Sequence, residues 1–145
     1  MNADERGLKH EALTEKIIGV FYEVYNELGY GFLESVYEAA MEVALVQAGF
    51  KVFRQAPIAV YFRGVLVGEF RCDMLLNDIL IIELKAARAL EAGHEAQVLN
   101  ELRATPIEVG LLLNFGPKPS FKRFAFSNDR KQIRVDPRSS AADPS

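Results

Sequence analysis

The segment Ile79-Leu80-Ile81-Ile82-Glu83-Leu84-Lys85 constrains this chain more than any other. Its first four residues are all apolar. A strand that faces water on one side alternates apolar and polar residues, whereas one apolar on both faces is covered on both sides and belongs in the middle of a sheet. Yet this strand also carries a carboxylate and an ammonium two positions apart, and residues i and i+2 of a strand point to the same face. Burying ionised groups is costly unless they are paired or bind a metal. Two readings follow: Glu83 and Lys85 form a solvated pair at the exposed end of the strand, or they belong to a site.

The flanking sequence supplies the rest of a sheet and its cover. Leu13, Ile17, Val20, Phe21, Val24 and Leu28 recur at helical spacing and predict a first helix over about residues 8–28, ended at Gly29. Leu33, Val36, Tyr37, Ala40, Met41 and Ala44 predict a second over about 32–48, closed by Gly49. Short β-branched and aromatic runs follow at 52–54, 58–62, 65–76 and 79–86, with turn signals at Arg63-Gly64 and Asn77-Asp78. A third helix over about 90–104 ends before Pro106, and strands at 107–115 and 121–126 complete the pattern. The order α-α-β-β-β-β-α-β-β is that of one α/β domain with a mixed sheet. A chain of 145 residues has material for a single core. The expected division is a domain over residues 1–126 and a basic, partly disordered tail over 127–145.

Charge narrows the function. The net charge is −3, which excludes a strongly basic nucleic-acid binder as a description of the whole chain. Residues 1–116 hold ten Lys/Arg against 17 Asp/Glu, while residues 117–145 hold seven against three. The basic end could meet a polyanion or simply keep the chain in solution. The single cysteine, Cys72, has no partner for an internal disulfide and no metal-ligand spacing, which fits a reducing, cytoplasmic setting. No apolar run is long enough to span a bilayer, and the first residues lack the apolar stretch of a signal peptide, so no membrane is expected.

The site reading draws in Asp73, on the strand before Glu83. Two carboxylates converging on one point would offer oxygen ligands to Mg2+, and a lysine beside them could stabilise charge on a scissile phosphate. The geometry must satisfy one condition. A two-residue hairpin at Asn77-Asp78 would set Asp73 opposite Ile82 and send Glu83 to the other face. The two acids share a face only if the loop holds an odd number of residues or the hairpin contains a bulge. Glu34, in the first turn of the second helix, is a further candidate ligand, although the helix dipole favours an acid there without any function. His94, Gln97 and Glu101 form a polar stripe on the third helix, which is expected to pack through Ala96, Leu99 and Leu102 and leave the stripe to solvent. Two distant histidines, His10 and His94, do not make a zinc site. No glycine-rich phosphate loop or nucleophile elbow is present.

In order along the chain, Gly31-x-x-Glu34-x-x-Tyr37, Arg71-Cys72-Asp73, Ile82-Glu83-Leu84-Lys85, Gln97-x-x-Asn100 and Gly110-Leu-Leu-Leu-Asn114-Phe-Gly116 closely resemble the GxxExxY family of the PD-(D/E)XK nuclease-like superfamily. The resemblance covers about residues 10–126. It implies a restriction-endonuclease-like fold, with an α-β-β-β-α-β core and an extra N-terminal helix. It implies that Asp73 and Glu83 hold Mg2+ or Mn2+, with the carbonyl of Leu84 and the helix acid Glu34 as further ligands. Lys85 would be the catalytic lysine and Gln97 the polar residue of the following helix. At Glu101 the chain departs from related nucleases, which often carry tyrosine there; the change adds negative charge next to a phosphate site.

Two functions are therefore expected to compete. The first is a metal-dependent nuclease that hydrolyses phosphodiester bonds, acting on DNA rather than RNA. The second is a nuclease-like module that binds nucleic acid or protein without turnover. A third, lesser reading makes the first helix, with Phe21, Tyr22 and Tyr25, the interface of a homodimer. Single-strand recognition calls for exposed aromatics in a basic groove, and most aromatics here occupy positions expected to face the core.

Overall fold

The structure is a computed structural model, and it describes residues 10–131. Two helices come first, α1 (Glu11–Leu28) and α2 (Glu34–Gln47). Strands β1 (Val52–Phe62), β2 (Val65–Leu76) and β3 (Leu80–Lys85) follow, then helix α3 (Ala92–Arg103) and strands β4 (Val109–Phe115) and β5 (Pro119–Ala125). A short 3-10 turn, Asn128–Arg130, ends the described part. The tail expected beyond it lies outside the described residues.

The five strands form one mixed sheet in the order β1-β2-β3-β4-β5. All neighbours are antiparallel except β3 and β4, which run parallel and are joined through α3. β3 is the central strand, as its apolar faces require, and all seven residues of β4 beside it are buried. Helices α1 and α2 cover one face through Ile17, Val20, Phe21, Val24, Tyr37, Met41 and Leu45. Helix α3 covers the other through Val98 and Leu102, against Ala56, Ile58, Cys72, Ile81 and Leu112.

Three expectations need correction. The runs at 52–54 and 58–62 are one strand that continues through Pro57. Proline removes a ladder donor and is tolerated where the strand is at a sheet edge, which is where β1 lies. In α2 the buried stripe is Tyr37, Met41 and Leu45, so Leu33 precedes the helix and, like Val36, is exposed. The aromatic residues of α1 are not a free interface. Phe21 is buried, the hydroxyl of Tyr25 donates to the carbonyls of Gly116 and Pro117 at 2.7 and 2.9 Å, and Tyr22 packs edge-on against Phe121. No helix among the described residues is long and apolar enough to cross a membrane.

Candidate active site

The β2–β3 connection decides where the two acids go. Its loop holds three residues, Asn77, Asp78 and Ile79, and the register pairs Leu76 with Leu80, Leu75 with Ile81 and Met74 with Ile82. Asn77 and Asp78 both adopt positive φ, 51° and 61°, which the short polar side chains of Asn and Asp tolerate best after glycine. The loop is pinned to the start of β1, with Asn77 N–H donating to the Lys51 carbonyl and Lys51 N–H to Asn77 Oδ1, each at 2.8 Å. The odd loop sets the register as far as Met74 and Ile82, and Asp73 and Glu83 come beside each other just past it.

At that pair the backbone ladder gives way to the carboxylates themselves. The amide of Asp73 donates to Glu83 Oε2 at 2.9 Å, and the amide of Leu84 donates to Asp73 Oδ2 at 2.8 Å. The sheet also changes its alternation here. Met74 and Leu76 belong to the core under α1 and α2, whereas Cys72, two residues earlier, belongs to the core under α3. Regular pleating would keep all three on one side. Opposite the break, Gln55 of β1 sits at φ 54°, a strained conformation for a residue other than glycine.

Polar groups meet at this break from both sides. Gln55 Nε2 lies 3.1 and 3.3 Å from the carboxylate oxygens of Glu38 on α2, and 3.5 Å from Asp73 Oδ1. Arg54 pairs with Glu38 and with Glu42, each at 3.0 Å. From α3, Gln97 Nε2 donates to Glu83 Oε1 at 2.9 Å and approaches Glu101 Oε2 at 3.4 Å. Glu83 is 1% exposed and Glu101 0%. A solvated Glu83–Lys85 pair at the strand's end is therefore excluded. The stripe of α3 does not face solvent as expected, since Glu101 is fully buried and Gln97 partly so, whereas Ala96 is exposed. The reason is Gly110 on β4. A Cβ there would sit 2.8 Å from Val98 Cγ1, so the missing side chain is what lets α3 come down on the sheet with Val98, Leu102 and Glu101 inward. His94 has a separate task, accepting the amide of Glu91 at the start of α3.

Burial pushes the pKa of Glu83 up, and the negative charges of Glu101 and Asp73 add to the shift. Glu101 is raised chiefly by burial too. Two desolvated carboxyl groups side by side cannot both ionise cheaply, so the pair holds a proton to higher pH than an ordinary glutamate. Cys72 lies beside them, and burial together with the same acids pushes its thiol up to about 12. It is an inert core thiol. Lys85, two residues past Glu83, is half-buried and close enough to Glu101 to favour that carboxylate's charged form.

Of the residues the sequence singled out, Asp73, Glu83 and Gln97 come together, and at Leu84 it is the amide, not the carbonyl expected as a ligand, that meets Asp73. Glu34 is exposed in the first turn of α2, and it is Glu38, one turn later, that reaches toward Asp73 through Gln55. Glu38 and Gln55 escaped the sequence reading. Nothing in a sequence marks a glutamine for positive φ, whereas a glycine within the otherwise apolar run 109–113 was a readable sign of close approach.

The donors suit a hard divalent cation. They are carboxylate oxygens, and Glu101 Oε1 is buried with no hydrogen-bond partner. Among the described residues, however, no three His, Cys, Asp or Glu side chains converge closely enough to hold an ion in this conformation. Asp73 and Glu83 are the residues that would hold such an ion.

Comparison with known proteins bears on the fold and the family. No curated protein matches the chain. Among solved structures, the chain resembles one titled "Crystal structure of SSO0001", with a TM-score of 0.53 at 16% identity, over 84% of this chain and 63% of that one. At that identity the likeness speaks for the fold alone. The chain spans less than two thirds of that protein's length. A family model described as the PD-(D/E)XK nuclease superfamily matches residues 11–124, a span that takes in both helices before the sheet, the Asp73–Glu83 pair and Lys85. With that match over most of its length and a mixed α/β sheet of the corresponding architecture, the chain belongs to the PD-(D/E)XK nuclease superfamily.

Proposed function

We propose that the protein is a metal-dependent nuclease of the GxxExxY branch, hydrolysing phosphodiester bonds in nucleic acid, with DNA preferred over RNA. The observation that carries this reading is the meeting of Asp73 and Glu83 where the β2–β3 ladder ends, each carboxylate accepting a backbone N–H from the other strand, with Lys85 further along β3. Asp73 and Glu83 would hold Mg2+ or Mn2+; the resemblance adds the Leu84 carbonyl and Glu34 as further ligands, although Glu34 is exposed and it is Glu38 that reaches toward Asp73 through Gln55. When bound, such an ion lowers the pKa of a coordinated water and offsets phosphate charge. Lys85 would then meet the developing charge on the scissile phosphate. Gln97 orients Glu83 by holding Oε1. The single buried thiol, Cys72, is consistent with work in the cytoplasm.

The test is cleavage of labelled linear, circular, branched and single-stranded DNA and of RNA, in Mg2+, Mn2+ or EDTA, comparing the natural protein with Lys85→Ala. Metal-dependent cutting that is lost in the variant is expected. Equal cutting by both would remove Lys85 from catalysis.

The absence of three converging acids among the described residues, with the extra carboxylate of Glu101, favours a second reading. In it, the fold binds nucleic acid or a protein partner without turnover. Salt-dependent DNA binding by a folded protein that cuts nothing in either metal would establish it.

A further inference from the structure

The loop between α1 and α2, Gly29-Tyr30-Gly31-Phe32-Leu33, presents aromatic rings to solvent. Tyr30 is 57% exposed and Phe32 48%. Rings on a slack loop would fold back onto the core, but this loop is held at both ends. The hydroxyl of Tyr37, itself fully buried, donates to the Gly29 carbonyl at 2.5 Å and accepts the Phe32 amide at 3.2 Å. Phe32 meets the Tyr37 ring edge-on, with 6.1 Å between centroids. Gly29 and Gly31 take φ of 74° and 119°, backbone that a residue with a side chain rarely adopts.

The loop stands at the end of the sheet where the candidate lysine lies. Tyr37 stacks on Phe115 at the end of β4, with 4.3 Å between centroids. The residue before it, Asn114, is in register with Lys85 and exchanges hydrogen bonds with the backbone of Ala87 at 2.9 and 3.0 Å. Three cations belong to this end of the sheet by their place in the chain: Lys85 at the end of β3, exposed Arg88 just beyond it, and exposed Lys118 in the β4–β5 turn. Exposed rings on a tethered loop, with cations at the same end of the sheet, are what a strand with unpaired bases requires, the rings stacking on base faces and the cations meeting phosphates. Base pairs inside a duplex, covered on both faces by their neighbours, offer none to such rings.

We infer that the 29–33 loop is a stacking platform for unpaired bases, and that the substrate is single-stranded nucleic acid or a single-stranded end. This rests on the nuclease reading for what happens next to the strand, but not for its capture.

The experiment measures binding apart from cleavage. Fluorescence anisotropy in EDTA would follow a labelled 20-nucleotide poly-dT strand and a blunt 20-base-pair duplex, with the natural protein, Tyr30→Ala/Phe32→Ala and Tyr30→Phe. A 2-aminopurine base placed in the single strand reports stacking through its fluorescence. The single strand is expected to bind tighter than the duplex. The double variant should lose about tenfold or more of that affinity, with its duplex binding unchanged, and only the natural protein and Tyr30→Phe should quench the probe. Tyr30→Phe is expected to melt like the natural protein, and the double variant, which loses the Phe32–Tyr37 ring contact, somewhat lower but in one cooperative transition well above the assay temperature. Equal affinity for strand and duplex, or an undiminished double variant, would overturn the inference. So would a double variant whose only change is loss of self-association in sedimentation, because the rings would then form a protein interface. Strand capture without cutting in Mg2+ or Mn2+ would leave the platform standing and defeat the nuclease reading alone.

Discussion

Glu83 and Glu101 come from different elements and are bridged by one side-chain amide, that of Gln97, at 2.9 and 3.4 Å. Both carboxyl groups are buried, and each holds its proton more tightly in the fold than in the unfolded chain. Between the unfolded and folded pKa values the native state therefore binds more protons, and stability falls as pH rises. The window opens at the ordinary glutamate value of 4.5 and extends upward through neutrality. Denaturant midpoints measured in EDTA are expected to decline across it, and the decline should flatten in Glu101→Gln.

The same substitution tests the balance between stability and function. Glu101 Oε1 is a buried acceptor without a donor, and such a group costs about 1–3 kcal/mol. A glutamine amide there could donate to Glu83. Glu101→Gln should raise the thermal midpoint of the metal-free protein, and calorimetry would show it. No change would mean that the cavity around Glu101 already satisfies that oxygen.

Metal should act in the opposite sense to the proton. A cation requires the acids deprotonated, so binding releases protons and strengthens with pH. Stabilisation by Mn2+, read as a shift in melting temperature, is expected to grow from pH 5.5 to 8 and to vanish in Asp73→Asn. An equal shift in that variant would assign the metal to another part of the surface.

Lys85→Ala should leave the melting temperature close to that of the natural protein, because this side chain makes no ion pair among the described residues. Its cleavage rate should fall by about a hundredfold or more if it meets phosphate charge in the transition state. A variant that unfolds would instead give Lys85 a structural task.

Gly110→Ala puts a methyl group 2.8 Å from Val98 Cγ1, a branched side chain with little room to yield. A loss of about 1–3 kcal/mol is expected from overpacking. Helix α3 would lift with it, and the Gln97–Glu83 contact should loosen. The pH dependence of stability would then weaken together with stability itself, which a simple core defect would not cause.

How much of this was legible varied with the kind of constraint. The central place of β3 followed from four apolar residues in a row, because only a strand covered on both faces can carry them. The α1 stripe was equally readable. Asp73 and Glu83 could be named but not joined, since sequence does not count the residues of a turn, and Ile79 reads as strand although it belongs to the loop. The orientation of α3 was misread because helical periodicity gives a face only to within one position. What settled it was Gly110, on a strand that follows the helix. Nothing in the sequence marks Tyr30 and Phe32 as exposed, and it is the Tyr37 hydroxyl, bonded to Gly29 and Phe32, that ties their loop at both ends.

The three-residue Asn77–Ile79 loop has a consequence for how such chains can diverge. Glycine at Asn77 would keep the positive φ but give up the Oδ1 bond to Lys51, and growth by two residues would keep the parity of the register. A single insertion or deletion would turn Glu83 away from Asp73 and dissolve the site while leaving the hairpin, and much of the sheet, in place. Among descendants of this chain, lengths of this one turn should therefore differ in even steps wherever the site survives, and a change of one would mark a lineage that has given it up.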